Sequence, residues 1–600
     1  MAILDHLFAV IPMLGILIFV HELGHFLMAK ACGVRVLKFS IGFGAPIGFG
    51  DYRLRWERSG TEYVVGWIPL GGFVRMLGEY LPGEEGNAAS LPDDVRPDEF
   101  LEAKPVWQKL SIMFAGPLMN LLLPVLCMLG ILWFGLPRLD AVVGMVEANS
   151  PAADAGIRAG DRIVSLDGET VEWWDEVALT ISESSSGETL LVGIDRDGNR
   201  ENLEVSIVSQ RALDRFGLVA EAGWVGLGHR RLSALVGVPE DTSPASLAGL
   251  QSGDLVLTID DVAVGDWEEL RRHYRAAASA ARTRGLGTVH FKVERNSPAI
   301  FGEPPRPTGA SSAAESETKL GDPNEETRPK VEIIELELAA AATLQALGVT
   351  PASILIHQVE PGMPADQAGL EANDLILSVD GEPIGSFESF ASLIQTSGGR
   401  ELEIAYSRHG RVEVTQIQPR EIEVPGLYGI EGMEQKVYRV GISNALSSLP
   451  GSTSVDRVRN PIVSVPKSVE MSWRMTTDYL EGLGKMFSGD IGTGKLSGPI
   501  GIARIARESL DRGWLEYVFM MMVISINLGI LNLLPIPILD GGQILIYSIE
   551  GIKRSPVSFR TREIASQLGF AVLIVLMGRA FWNDLTPFWM QFVRWISTSP

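Results

Sequence analysis

Hydrophobic residues gather into four long runs, at 7–29, 112–136, 517–539 and 564–578, and are diluted by charge almost everywhere else. A helix needs about 20 apolar residues to cross a bilayer, so the runs predict four membrane spans, the fourth being the shortest. Lys30, Arg35 and Lys38 follow the first run, Lys104 and Lys109 precede the second, and Lys553, Arg554, Arg560 and Arg562 separate the third from the fourth. Short basic loops stay on the inner side. Both termini and the long 137–510 stretch are therefore expected outside, and lipid is the first expected partner.

A repeat organises the long stretch. Ser150-Pro-Ala-Ala-Asp-Ala-Gly156, followed by Gly160-Asp161, returns as Ser243-Pro-Ala-Ser-Leu-Ala-Gly249 with Gly253-Asp254, and again as Met363-Pro-Ala-Asp-Gln-Ala-Gly369 with Asn373-Asp374. Each copy runs into a short apolar strand and an Asp-rich turn, which predicts three similar β-rich modules at 138–232, 233–340 and 341–446. Residues 296–330, dense in Pro, Ser, Glu and Gly, predict a disordered insertion in the middle module.

The remaining segments read more coarsely. Between the first two runs, Phe39-Ser-Ile-Gly42-Phe-Gly44 and Gly71-Gly72-Phe-Val-Arg-Met mix glycine with β-branched and aromatic residues, so 32–105 is expected to hold a β-hairpin, with 82–105 an exposed connection. Gly116-Pro117-Leu-Met-Asn120 in the second run reads as helix packing. Residues 460–487 carry apolar side chains at mixed helical spacing, expected as a membrane-surface helix within 447–513 or as packing against the spans. Phe588, Trp589, Phe592 and Trp595 suit an interfacial anchor. The expected division is 1–31, 32–105, 106–137, the three modules, 447–513, 514–547 and 548–600.

Composition narrows the function classes. Hydrophobic residues make up 46% of the chain and the mean hydropathy is +0.16, as expected of a chain partly in lipid. Acidic residues number 74 against 51 basic, a net charge of -23 with no basic cluster to track phosphates, so no nucleic-acid partner is expected. The two cysteines, Cys32 and Cys127, lie in or beside apolar runs and build no disulfide framework or thiolate zinc site. A cleaved signal peptide fits residues 1–31 poorly, because the start lacks a basic region and His21 and Glu22 interrupt the apolar run.

That interruption carries the chemistry. His21 and His25 are four apart, so on a helix they stack on one face where two imidazoles can grip one metal ion. Glu22 beside them can act as general base, the arrangement of an HExxH zinc peptidase. Three ionisable groups inside an apolar helix cost about 2.5 to 3.5 kcal/mol each on insertion scales, so they call for a function. The rival reading is a satisfied polar cluster between packed helices. Spans one and three run in the same direction, which puts Asp540, at the end of the third run, at a depth where it can supply a third ligand, the other reading being a helix cap.

His21-Glu22-Leu-Gly-His25 in a first span, together with Asn532-Leu-Leu-Pro535-Ile-Pro537-Ile-Leu-Asp540-Gly in a later one, resembles the site-2 protease family of intramembrane zinc metalloproteases. The resemblance implies Zn2+ on His21, His25 and Asp540 with Glu22 as catalytic base, in a multi-pass protein of the bacterial inner membrane whose β-hairpin, with Gly42, Gly44, Gly71 and Gly72, dips toward the metal. It implies a single-pass membrane substrate of the anti-sigma factor type, cut in regulated intramembrane proteolysis of an envelope-stress response, with remnant signal peptides as a second class. Pro535 and Pro537 would break the helix before Asp540, and Asn527 and Asn532 would hold the opened substrate or serve as interhelical glue. The modules resemble periplasmic PDZ domains, which hold peptide C-termini by strand addition. Gly226, Gly228 and Gly441 are the candidate loop glycines, and a steric screen without ligands is the other reading. Relatives of this kind usually carry two such modules, so the third copy departs from the pattern. The alternative function is a non-proteolytic PDZ scaffold with a structural metal site. A metal transporter is disfavoured by the lack of further intramembrane carboxylates and histidines.

Overall fold

The structure, a computed structural model, describes residues 2–49, 52–78, 95–214, 216, 218–296, 331–424, 435–444, 448–489, 499–558, 560–571, 573–575, 577–579 and 582. Nearly all of the expected insertion at 296–330, most of the 82–105 connection and the aromatic tail lie outside them. The chain divides into one unit of Met1–Leu136, Pro425–Gln435 and Asp456–Pro600 and another of Pro137–Val424 and Lys436–Val455.

Among the described residues of the first unit four helices are long and apolar enough to cross a membrane, Phe8–Ala31, Val106–Phe134, Trp514–Leu533 and Arg560–Arg579. Helix α1 (Ala2–Ala31) meets α2 (Val106–Phe134) at Gly24, where an added Cβ would stand 2.3 Å from the Ala115 carbonyl oxygen. The third-span helix approaches α2 at Gly529, with Leu121 Cγ 3.1 Å from its notional Cβ, and the Ser525 hydroxyl donates to the Asn120 carbonyl at 2.7 Å. This helix ends at Leu533, short of the expected 539, because the proline rings of Pro535 and Pro537 remove donors and disfavour helix in the residue before each. After the turn a new helix starts at Asp540 and runs to Lys553. Gly541 and Gly542 allow that turn to close, since side chains there would come within 2.3 Å of Leu533 O and 2.2 Å of Ile536 O.

The expected surface segment is also more divided than its sequence suggests. Ser448–Leu449 and Thr453–Asp456 are strands, and helix begins only at Pro461, running to Ser488 before a second one at Pro499–Arg512. The Pro461–Ser488 helix buries Ser464, Ser468 and Ser472 and exposes Ile462, Val465, Val469, Trp473 and Leu480. Glu470, Arg474 and Glu481 are exposed beside them, so the outward face mixes apolar and charged side chains.

Strands β1 (Val36–Pro46), β2 (Arg55–Arg58) and β3 (Thr61–Met76) form one antiparallel sheet. Strand β3 folds around β1, so that Phe39 pairs with both Tyr63 and Val74 and Ile41 with both Val65 and Gly72. Strand β2 covers the Thr61 end, whereas from Gly72 to Val74 no strand other than β1 pairs with β3 among the described residues. Gly42 and Gly44, with φ of 84° and 88°, take the left-handed conformation that lets β1 bend between these partners.

Among its described residues the second unit contains three four-stranded sheets of one topology. In chain order they use Arg162–Leu166, Glu169–Thr170, Thr189–Arg196 and Asn199–Ser206, then Leu255–Ile259, Val262–Ala263, Thr288–Arg295 and Glu332–Ala339, then Leu375–Val379, Glu382–Pro383, Leu402–Arg408 and Arg411–Ile417. Each sheet is joined by one helix, at Trp174–Glu183, Trp267–Thr283 and Phe387–Gln395. The repeated Ser-Pro-Ala starts a helical turn that Ser150 and Ser243 cap by accepting from Ala153 N and Ser246 N, while Met363 offers no such cap. The repeated aspartates, each at most 2% exposed, are held by strand-end arginines: Asp161 by Arg196 at 2.6 Å, Asp254 by Arg295 at 2.8 Å and Asp374 by Arg408 at 2.7 Å. The core of the middle module continues through Leu344, Leu347 and Val349, past the boundary expected at 340, because Thr350–Pro351 pairs back onto Val236–Gly237.

Candidate active site

His21 and His25 sit one turn apart on α1, 9% and 6% exposed, with ring centroids 4.9 Å apart. Asp540, the first residue of the helix after the proline turn, reaches both. His21 Nε2 lies 3.1 Å from one Asp540 oxygen, His25 Nε2 lies 3.4 Å from the other, and the two Nε2 atoms are 3.3 Å apart. Ligand bonds of about 2.0–2.1 Å at tetrahedral angles separate ligand atoms by about 3.3 Å, so this triangle has the dimensions of one face of a zinc site. The donor set, two imidazoles and a carboxylate, also suits zinc and leaves a fourth position open. Among the described residues this is the one cluster of three or more His, Cys, Asp or Glu side chains able to hold a metal.

The surrounding segments clear room for the triangle. Gly116 on α2 has no side chain where His25 sits, since a Cβ there would be 2.2 Å from His25 Nε2. His25 Nδ1 hydrogen-bonds the Ile112 carbonyl at 2.8 Å, which leaves Nε2 facing Asp540. Glu22 is flanked by β3, where a Cβ on Gly72 would be 3.1 Å from Glu22 Cγ. The Phe43 ring covers Gly71. The structure thus gathers His21, Glu22, His25, Gly72 and Asp540.

Other expected residues have different surroundings. Asn527 accepts a hydrogen bond from the Tyr479 hydroxyl at 2.5 Å, and Asn532, Pro535 and Pro537 form the end of the third-span helix and the turn that follows. Gly226 and Gly441, in the second unit, occupy corresponding places: both have φ of 81°, and their carbonyls accept from Glu147 N and Glu360 N. Gly228 instead pairs with Met145. The sequence reading missed Gly348, the same position in the middle module, with φ of 80° and Ser243 Cβ 2.4 Å from its notional Cβ. The shared signal is an apolar residue on each side, Val225-Gly-Leu, Leu347-Gly-Val and Val440-Gly-Ile. It also missed Asn120, set aside as packing, whose Nδ2 lies 3.2 Å from His21 Nδ1.

The sequence matches peptidase family M50 over residues 9–576. It is 28% identical over 574 residues to "Regulator of sigma-E protease RseP" of Escherichia coli K12, covering 96% of each chain. "Protease RseP" of Yersinia pestis is 28% identical over 590 residues, covering 98% of this chain and 99% of the relative. Further relatives carry zinc metalloprotease in their names. Among solved structures, the PDZ domain of an SdrC-like protein from Listeria monocytogenes is 24% identical and covers 14% of this chain and 87% of its own, with a TM-score of 0.12. With four span-length helices among its described residues, the molecule is a multi-pass inner-membrane protein. The chain belongs to peptidase family M50 and is a zinc metalloprotease.

Proposed function

We propose that the protein is an intramembrane endopeptidase that cuts the spanning helix of single-pass membrane proteins of the anti-sigma factor type, in an envelope-stress response. The observation that carries this reading is the triangle of His21, His25 and Asp540 among span-length helices. These three residues would hold the zinc. When bound, zinc makes water acidic enough to lose a proton near neutral pH and polarises a carbonyl. Glu22 then takes the proton of the attacking water and passes it to the leaving amine.

A spanning helix resists hydrolysis because its backbone is internally bonded, so the enzyme must hold its substrate extended. The edge of β3 from Gly72 to Val74, beside Glu22, suits that task by strand addition. Asn532, at the proline turn, offers a further amide to the unwound strand, and Asn527 does so once Tyr479 releases it. In this reading the site lies toward the cytoplasmic face and the modules, read as PDZ domains, lie in the periplasm, an orientation that the basic short loops support. Peptide C-termini fit the third module. There a groove of about 490 Å3 runs between the Phe387–Gln395 helix and the strand beyond Gly441, lined by Phe387, Ala391, Ile394 and Ile442.

The test is cleavage of a membrane-embedded reporter by the purified protein. Wild type is expected to contain zinc and cut; Glu22→Gln is expected to keep the zinc and not cut. Equal cleavage by the two would defeat the protease mechanism, and binding without cleavage by wild type would favour a scaffold.

A further inference from the structure

The two histidines reach one point from one helix, but their remote nitrogens meet different partners. An imidazole that offers the Nε2 lone pair to a metal carries its proton on Nδ1, and a buried N–H needs an acceptor. For His25 that acceptor is the Ile112 carbonyl. For His21 the group within reach is the carboxamide of Asn120, a residue that is 0% exposed on α2. Its Oδ1 is buried and has no hydrogen-bond partner among the described residues. A half-turn about Cβ–Cγ exchanges carboxamide oxygen and nitrogen without changing the shape of the side chain. The orphan acceptor is thus one rotation from the buried donor that metal ligation by His21 creates.

We infer that Asn120 is a positioning residue for the zinc ligand His21, its Oδ1 accepting the Nδ1–H so that Nε2 presents a lone pair beside His25 and Asp540. The backbone at Asn120 is held in place by the Ser525 hydroxyl of the third-span helix, so the side chain approaches His21 from a fixed point. A purely packing role accounts for the burial of this asparagine. It does not account for an amide directed at a ligand nitrogen with its oxygen unpaired.

The inference rests on His21 being a zinc ligand, and the experiment separates the two. Zinc affinity is measured on the full-length protein in detergent by competition with a chromogenic chelator, for wild type, His21→Ala, Asn120→Leu and Asn120→Asp, with thermal melting as the folding check. Outer-shell partners of ligating histidines are worth about 10–100-fold in metal affinity, so Asn120→Leu is expected to bind zinc that much more weakly, while Asn120→Asp, which keeps an acceptor, stays within about threefold of wild type. Wild-type affinity in Asn120→Leu overturns the inference. So does a loss in Asn120→Asp of about tenfold or more, and this readout stands even if the leucine variant does not fold. A wild type that binds no zinc, or a His21→Ala variant that binds it as tightly, overturns the metal reading instead.

Discussion

Asp374 in the third module and Asp540 in the membrane unit are both withdrawn from water, and the groups around them differ in kind. Asp374 receives Arg408 Nε at 2.8 Å, Arg408 Nη2 at 2.7 Å and the Glu371 backbone N–H at 2.8 Å, while Arg408 also donates to the Gly369 carbonyl at 2.7 Å. The carboxylate beside it holds the Arg408 guanidinium above even its usual high range. Charge is neutralised, and the two other modules repeat the arrangement. Asp540 has no guanidinium or ammonium partner among the described residues; it faces two imidazoles. The first arrangement is complete in itself, whereas the second points three metal-binding groups at one place and is completed by a cation. Burial alone therefore does not mark a functional carboxylate. What marks it is donor capacity left over once the protein's own contacts are counted.

The comparison breaks first at the membrane site. Asp540→Asn, or chelation of wild type, is expected to abolish reporter cleavage, with added zinc restoring only the chelated wild type; metal analysis and cleavage assays check this. Glu22→Gln is expected to lower the rate by about 10²–10⁴-fold with zinc content unchanged. In the modules the expected loss is of stability instead. Arg408→Ala strands a buried carboxylate, and breaking such a pair costs about 3–5 kcal/mol, read as a lower melting transition of the modules in the full chain with zinc content intact.

The smallest effect concerns pH. Hydrogen bonds from Ser452 and Ser454 and the charge of Arg162 hold Asp140 below the usual carboxylate range. Its contribution to stability is complete above the unfolded-state value of about 3.9 and is lost as pH falls through the lower folded value. Wild type should therefore melt higher than Asp140→Asn at neutral pH, and the gap should close in acid below about pH 4. A gap that persists there would show that the serine contacts do not depend on the carboxylate's charge.

Much of this was legible because local patterns have local causes. The apolar runs, the His21 and His25 spacing and the three-copy repeat each follow from one short-range rule. The arginines that close the repeats were less visible, although Arg196-Asp-Gly and Arg408-His-Gly each begin on the last residue of the same strand in two copies. Their partners lie 34 or more positions earlier, beyond the reach of any periodicity. The end of the third-span helix was placed too late, since hydropathy continues through Leu533-Leu-Pro-Ile-Pro-Ile-Leu while the backbone cannot. Asn120 gave no local sign beyond being an amide in an apolar helix.

By itself the sequence determined which residues could bind a metal, how many segments could enter lipid and how many times the β-rich module recurs, because these depend on residue type and spacing. Only the tertiary structure decided that Asp540 meets both imidazoles, that Gly116 and Gly72 make room beside them and that Asn120 faces His21. Those contacts join α1, the hairpin, α2 and the proline turn, and the rotation of one helix against another is set by side-chain packing across segments far apart in the chain.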